Sequence, residues 1–295
     1  MQVHVGRERT AAHRRALPAH PLERGSGPSA PPPYHGRMCR LFGCRTDAPG
    51  GVAHELLHGA NALRIQSREH PDGWGLGWYL GRVPQVVRSL TAAHGDEDFE
   101  EVSSFVTAST IVAHIRKASI GRVALENTHP FEWGPWLFAH NGTIPDWEKS
   151  RAAVEAEIDP ALREKLRGET DSERCFLVFL TRLAARCDPT AAGFAEAAVA
   201  LAETVGIVAR TCGADAATTF LATDGRLMLA CRRGRTLYVS AAEPQRDGRV
   251  AWFAVASEDP RLHQPVPPGR SPWREVRAGT IVGVDAELRL CRAGL

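Results

Sequence analysis

Large side chains alternate with glycine over residues 72–79, and this pattern constrains the fold more than any other stretch of the sequence. Successive side chains of an extended strand point to opposite faces. This strand therefore has one aromatic face and one bare face, where Gly75 and Gly77 let a ligand or another backbone approach. The pattern predicts a strand with a close neighbour on its bare face.

Blocks of strands flank a pair of helices along the chain. Helical periodicity predicts helices at 52–66, 171–187 and 191–207, and the second of these opens with the capping pattern Thr170-Asp171-Ser172-Glu173. This order favours an α+β fold of layered sheets with helices outside over a βαβ alternation. Strands are predicted at 39–45, 72–79, 84–90, 110–115, 135–140, 217–222, 226–231, 236–240, 250–256 and 280–291.

The first 38 residues differ in composition from the rest of the chain. They contain six arginines, several prolines and no apolar periodicity, so we expect a disordered extension or a segment absent from the active protein. Residues 39–295 are slightly acidic, although the whole chain has a formal charge of +2, which argues against nucleic acid as a partner. Without a long apolar run or a secretory signal, we expect a cytoplasmic protein with no membrane segment.

Seven cysteines are scattered through apolar segments without a CxxC pair, which predicts reduced core residues rather than disulfides or a zinc knuckle. Cys39 differs because it directly follows Met38 and can become the first residue of a processed chain. Its thiolate would then be a nucleophile, and its α-amino group, with an ordinary pKa of about 7.7 to 8.0, would be the base. The alternative is a buried strand cysteine. If the preceding residues are retained, the amino group is lost to a peptide bond.

Short polar motifs occur in a suggestive order along the chain. Each one alone has a structural explanation, as a turn, a surface charge or a helix cap. They are Met38-Cys39-Arg40-Leu41, Asp72-Gly73-Trp74-Gly75, His114-Ile115-Arg116-Lys117-Ala118-Ser119, Asn127-Thr128-His129-Pro130-Phe131, and His140-Asn141-Gly142 with the later Thr170-Asp171-Ser172-Glu173.

Together, these motifs resemble the class II glutamine amidotransferase domain of the N-terminal-nucleophile hydrolases, and more narrowly its small members without a synthase domain. The resemblance runs from Cys39 to near the C-terminus and includes Ser257-Glu258 and Trp273. It implies a four-layer α/β/β/α sandwich and hydrolysis of a γ-glutamyl amide through a thioester on Cys39, without a cofactor. Among such relatives, one group acts in ergothioneine synthesis, another acts in a complex that degrades glutathione, and many have no assigned substrate. The γ-glutamyl substrate and any synthase or peptidase partner therefore stay open.

The resemblance also implies roles for individual residues. Asn141 and the Gly142 N–H would stabilise the negative oxygen of the tetrahedral intermediate. The planar guanidinium of Arg116 would bind the substrate's α-carboxylate, and Asp171 would bind its α-ammonium group.

Other residues of the motifs receive supporting roles. Asp72 and Trp74 are placed at the wall of the substrate site. Because the family chemistry uses no catalytic histidine, His114, His129 and His140 are expected to be hydrogen-bonded struts that hold the loops.

A competing motif, His54-Glu55-Leu56-Leu57-His58, has the HExxH pattern of zinc hydrolases. Asn61 and Arg64 stand where the extended motif needs a glycine and a third histidine, so no metal site is expected. Inhibition by chelators would favour the zinc alternative. A rate that depends on a partner would favour a glutaminase subunit that delivers ammonia to a separate synthase. Unchanged behaviour of Cys39→Ala would favour a binding module without catalysis.

Overall fold

Two antiparallel sheets lie face to face in the computed structural model, which describes residues 39–262 and 264–295. The extension predicted at 1–38 lies outside the described residues. The strands are, in chain order, β1 Arg40–Gly50, β2 Trp74–Leu80, β3 Val83–Ser89, β4 Ala108–Ile115, β5 Phe131–Trp133, β6 Trp136–Thr143, β7 Ala217–Thr223, β8 Met228–Arg232, β9 Tyr238–Ala241, β10 Trp252–Ala256, β11 Arg274–Glu275, β12 Thr280–Val284 and β13 Leu290–Gly294.

Strands from both halves of the chain contribute to each sheet. Among the described residues, the first sheet has the order β11-β9-β10-β1-β4-β2-β3, and the second has the order β13-β12-β8-β7-β6-β5. β1 pairs with β4 on one edge and with β10 on the other. The strand that follows Cys39 is therefore an interior strand of the first sheet.

The bare face of β2 is the place where the second sheet comes close. A Cβ atom at Gly77 would lie 2.7 Å from Leu137 Cδ1, and one at Gly75 would overlap the carbonyl oxygen of His129. Neither position can accept a side chain without moving its neighbours. The prediction that another backbone approaches the glycine face is confirmed.

Helices cover the outer faces of both sheets. A stacked pair of rings, Phe138 of β6 and Phe176, lies under the helices of the second sheet, with 5.2 Å between ring centroids. Phe99 packs edge-on against Trp74 outside the first sheet, at 5.0 Å. The helices are a π-helical turn at His54–His58, α1 Leu63–Gln66, α2 Glu97–Phe105, α3 Trp147–Glu155, α4 Pro160–Arg163, α5 Asp171–Ala184 and α6 Phe194–Cys212.

Three apolar cores separate the layers in the described part of the chain. The inner core lies between the sheets and joins Leu41 and Val112 of the first sheet to Leu137 and Leu221 of the second. The outer cores lie between each sheet and its helices. The predicted four-layer α/β/β/α sandwich is confirmed. No helix within residues 39–262 and 264–295 has the length and apolar character needed to cross a membrane.

The structure divides two segments that the sequence predicts as continuous. The helix expected at 52–66 is interrupted at Gly59, which has an extended backbone and lies against the carbonyl oxygen of Pro260, 2.7 Å from the position of a Cβ atom. The strand expected at 280–291 is the hairpin of β12 and β13. Three helices, α2, α3 and the short α4, were not predicted.

Leu221→Ala tests the inner core, because this side chain is fully buried between the sheets. We expect the free energy of unfolding to fall by about 2–5 kcal/mol, through lost apolar burial and the cavity left behind. Urea denaturation followed by tryptophan fluorescence measures the change. Leu80→Ala, at an exposed position of β2, is the control and should change stability by less than about 0.5 kcal/mol. An equal loss of unfolding free energy in the two variants would contradict the assignment of Leu221 to the inner core.

Candidate active site

Cys39 lies directly before β1 and is held there through its neighbours. The Leu41 N–H donates to Ser257 Oγ at 3.1 Å, and the Ser257 N–H donates to the carbonyl oxygen of Leu41 at 3.0 Å. Alternation along the strand places Cys39 on the same face as Leu41, which packs in the core between the sheets. The thiol is thereby directed towards the second sheet.

The thiol of Cys39 is buried against the backbone of Lys117. The Lys117 N–H donates to Sγ at 3.4 Å, and the thiol can donate to the Lys117 carbonyl oxygen at 3.5 Å. Burial raises the pKa of the Cys39 thiol above its ordinary value. The Lys117 N–H and the Arg116 guanidinium oppose this rise, and the Asp171 carboxylate adds to it. The neutral thiol is therefore favoured near neutral pH, and its attack on a carbonyl carbon requires a base.

Arg116 is buried, and its guanidinium closes the loop that follows β4. Its terminal nitrogens donate to the carbonyl oxygens of Arg122 at 3.0 Å and of Ile120 and Gly121 at 3.2 Å. A guanidinium carries five N–H groups, so this loop does not use all of them. Part of the guanidinium therefore remains able to donate to a further acceptor.

Asp72 lies beside Arg116 and holds the same loop at its start. Its Oδ2 accepts a hydrogen bond from the Ala118 N–H at 2.7 Å, and its own N–H donates to the Arg116 carbonyl oxygen at 3.1 Å. The structure thus brings together Asp72, Arg116 and Cys39. Asp72 acts on the loop backbone here.

Trp74 does not join this group. Its side chain is fully buried in the outer core, where the indole Nε1–H donates to Asp96 Oδ2 at 2.7 Å. The side chain faces away from the glycine face of β2, on which the second sheet lies. The placement of Trp74 at the wall of the substrate site is therefore not supported, and its observed role is packing.

Asn141 and Gly142 lie near the end of β6, in register with β7. The Asn141 side chain is buried, and its Oδ1 has no hydrogen-bond partner among the described residues. A Cβ atom at Gly142 would overlap both the carbonyl oxygen of Ala217 and the imidazole of His140. Only glycine fits this position, so its N–H belongs to a tightly fixed backbone.

Asp171 is the first residue of α5 and is buried. The predicted cap is confirmed, because the Thr170 hydroxyl accepts a hydrogen bond from the Glu173 N–H at 3.2 Å. Asp171 Oδ2 accepts from the Ile144 N–H at 2.9 Å, and Oδ1 accepts from the Ser172 N–H at 2.8 Å. The carboxylate therefore ties the helix to the residue that follows β6.

The three histidines lie together between the sheets, and burial lowers the pKa of each. His140 is hydrogen-bonded at both ring nitrogens, and His114 Nε2 lies 3.3 Å from the His140 carbonyl oxygen, which confirms the strut prediction for these two. His129 stacks on His114 with 4.2 Å between ring centroids. Both of its ring nitrogens are buried without a hydrogen-bond partner in the described part of the chain, so the strut prediction is wrong for His129.

Glu55, the glutamate of the HExxH pattern, is buried in an ionic contact. Its Oε1 accepts from Arg261 and from Arg270, each at 3.1 Å. The Arg270 guanidinium also lies 3.6 Å from the centre of the Trp252 ring. The described residues contain no cluster of three or more histidine, cysteine or acidic side chains placed to hold a metal ion. The observed role of Glu55 is to join the π-helical turn to the segment after β10.

The sandwich and the grouping of a thiol, an arginine and a carboxylate define an N-terminal-nucleophile type of amidotransferase fold, and comparison with known proteins gives the family. Residues 38–254 match the family described as class-II glutamine amidotransferases. The chain therefore belongs to the class II glutamine amidotransferases.

Relatives with curated names cover part of the chain. The chain is 30% identical over 154 residues to the putative glutamine amidotransferase YafJ of Escherichia coli K12, which is 50% of this chain and 56% of that protein. It is 34% identical over 117 residues to the gamma-glutamyl-hercynylcysteine sulfoxide hydrolase of Mycobacterium tuberculosis (strain CDC 1551 / Oshkosh), which is 36% of this chain and 50% of that protein. The chain thus spans about half the length of these relatives.

Solved structures show the same fold at lower identity. A glutamine aminotransferase class-II domain protein from Silicibacter pomeroyi is similar with a TM-score of 0.57 and 21% identity, over 87% of this chain and 99% of that one. The glutamine phosphoribosylpyrophosphate amidotransferase of B. subtilis is similar with a TM-score of 0.57 and 17% identity, over 87% of this chain and 49% of that one.

Glu55→Gln tests the ionic contact of the HExxH segment. We expect the free energy of unfolding to fall by about 2–3 kcal/mol, less than the roughly 3–5 kcal/mol for a fully buried pair, because Arg270 is partly exposed. Thermal and urea denaturation measure the loss. His58→Ala, at an exposed position of the same turn, should leave stability unchanged. A melting temperature that falls when EDTA is added would contradict this explanation and support a metal site.

Proposed function

We propose that the protein hydrolyses a γ-glutamyl amide through a γ-glutamyl thioester on Cys39. The observation that carries the proposal is that the Cys39 thiol is hydrogen-bonded to Lys117, the residue after Arg116, while the Asp171 carboxylate is hydrogen-bonded to the residue that follows β6. The charges of Arg116 and Asp171 act on the pKa of this thiol in opposite directions. A group that can bind a carboxylate and one that can bind an ammonium ion therefore flank one nucleophile. An α-amino acid with a reactive amide in its side chain has the matching charges.

The proposed reaction begins with the substrate held at its two α-substituents. Arg116 binds the α-carboxylate and Asp171 binds the α-ammonium group, which directs the amide carbon towards Sγ. The thiolate attacks this carbon, and the carbonyl oxygen becomes negative while Asn141 and the Gly142 N–H donate to it. The C–N bond then breaks, the amine leaves with a proton, and water hydrolyses the thioester to glutamate and free thiol.

The proton transfers require a base next to Cys39, and we assign this role to its own α-amino group. This assignment requires Cys39 to be the first residue of the active chain, so that processing is part of the proposal. Two observations support it. Burial raises the pKa of the thiol, so the proton must be taken up by a base. Among the side chains that act on the thiol, the carboxylate of Asp171 is the one that can accept a proton. This carboxylate is already assigned to the substrate's ammonium group.

The named relatives bear on the type of reaction. One of them is named as a hydrolase of a γ-glutamyl compound, which favours hydrolysis as the reaction of this chain as well. A second candidate function is that of a glutaminase that passes ammonia to a separate synthase. The match to about half of a phosphoribosylpyrophosphate amidotransferase is the reason to consider it. A glutaminase rate that rises strongly when a synthase is added would distinguish it. The cytoplasmic location predicted from the sequence stays part of this proposal.

Glutamate release from L-glutamine and from a chromogenic γ-glutamyl anilide tests the proposed function. The chain is begun at Met38, and intact mass confirms Cys39 as residue one. We expect turnover of at least one amide, none in Cys39→Ala, and a fall in kcat of about 10²–10³ in Asn141→Ala, which removes one donor to the negative oxygen.

Cys291→Ala, which changes a partly exposed cysteine of β13, is the matched control and should keep full activity. Turnover that survives in Cys39→Ala would contradict the nucleophile. No turnover of either amide by the processed chain would contradict free-standing hydrolysis of simple γ-glutamyl amides.

A further inference from the structure

A chain of hydrogen bonds links Asp171 to the strand that carries Asn141 and Gly142. Ser172 Oγ lies 3.1 Å from Asp171 Oδ1 and 2.9 Å from His140 Nδ1. On the other side of the same imidazole, His140 Nε2 lies 2.8 Å from the carbonyl oxygen of Ala217. His140, Ser172 and Asp171 are all at least nine-tenths buried, so water does not substitute freely for these contacts.

The hydrogen atoms in this series of hydrogen bonds can be placed in two ways, which differ in the charge of His140. The Ala217 carbonyl oxygen can only accept, so His140 Nε2 carries a hydrogen in both. If the imidazole is neutral, Nδ1 is an acceptor, and the single hydroxyl hydrogen of Ser172 points to it. If the imidazole is charged, Nδ1 also donates, and the Ser172 hydroxyl must turn to Asp171 Oδ1. The charge state of His140 therefore decides whether the Ser172 hydroxyl donates its hydrogen bond to Asp171 Oδ1.

The surroundings of His140 favour the neutral arrangement. Burial lowers the pKa of His140, whereas the carboxylate of Asp171 on α5 raises it. The other charged or titratable groups that act on this position are Arg235, after β8, His114 on β4, and His129 before β5. The ring also packs edge-on against Phe220 of β7, at 4.8 Å between centroids. The loss of water outweighs the attraction of the Asp171 carboxylate and the hydrogen bond to Ala217, so a positive charge on the ring is disfavoured.

We propose that His140 is a positioning residue for Asp171: its neutral imidazole accepts the Ser172 hydroxyl and so leaves Asp171 Oδ1 open to the substrate's α-ammonium group. In this arrangement, among the described residues, Oδ1 accepts from the Ser172 N–H alone, and Oδ2 accepts from the Ile144 N–H. A carboxylate oxygen can accept a second hydrogen bond. His140 thereby acts on substrate recognition through Ser172, without contacting the substrate.

This inference rests on the proposed function and deepens it, because it concerns recognition of the α-amino group at the same site. The experiment compares kcat/KM for L-glutamine with kcat/KM for glutaramate, which is glutamine without the α-amino group. A general disturbance of the folded structure lowers both values. A hydrogen bond from the Ser172 hydroxyl to Asp171 Oδ1 lowers only the value for glutamine, which has the α-amino group. The ratio of the two values therefore reports the proposed effect.

His140→Leu removes the acceptor and keeps a side chain of similar size, so the Ser172 hydroxyl turns to Asp171. We expect the ratio to fall about tenfold, equivalent to about 1.4 kcal/mol. Adding Ser172→Ala to this variant removes the competing hydroxyl and should restore the ratio towards its original value. Adding Ser172→Thr instead keeps a hydroxyl and should not restore it, which makes this double variant the matched control.

A second measurement uses chains with an intact His140 and so does not depend on how His140→Leu folds. As the pH is lowered through the pKa of His140, which burial holds below its ordinary value, the ratio should fall in the original chain. The same step should be absent in Ser172→Ala. An equal loss for both substrates in His140→Leu, or a pH step that persists in Ser172→Ala, would overturn the inference. If the original chain hydrolyses neither of these compounds nor the γ-glutamyl anilide, the proposed function is overturned, and this inference falls with it.

Discussion

The site depends on how closely the two sheets pack against each other. The first sheet places glycines at positions 43, 75 and 77 where the second sheet is nearest, and a Cβ atom at Gly43 would lie 2.6 Å from Leu221 Cδ2. This spacing brings the residue before β1 into reach of groups held by β6 and α5. It also lets a side chain of one sheet contact the backbone of the other, as His114 does with the carbonyl oxygen of His140.

Local sequence patterns predicted the parts of the fold that local forces determine. Alternation with glycine identified the face of β2 that another backbone approaches, and the capping pattern at Thr170 identified the start of α5. The same alternation also explains the error at Trp74. If the glycine face meets the second sheet, the aromatic face must lie on the opposite side, in the outer core. The alternation thus indicated that Trp74 packs in the outer core, whereas its placement at the wall of the substrate site rested on the resemblance.

The remaining differences arise from contacts between residues far apart in the sequence. Glu55 is paired with arginines more than 200 positions away, so the HExxH pattern alone could not indicate its role. Gly59 interrupts a regular helical periodicity because the segment near Pro260 lies against it. Ser172 was missed as a link to His140, although its place directly after Asp171 was the available signal. No pattern in the sequence indicates that both ring nitrogens of His129 are buried.

The two sides of the site differ in how they can open. β1 is hydrogen-bonded along both edges, so its amide hydrogens exchange with solvent only when the first sheet itself separates. The loop after β4 is held by the guanidinium of Arg116 and the carboxylate of Asp72, which can release it without disturbing a strand. The backbone next to Cys39 therefore belongs to the more protected unit, and the loop to the less protected one. Because the Cys39 thiol is hydrogen-bonded to Lys117 of this loop, a movement of the loop changes the surroundings of Sγ while the strand keeps its place.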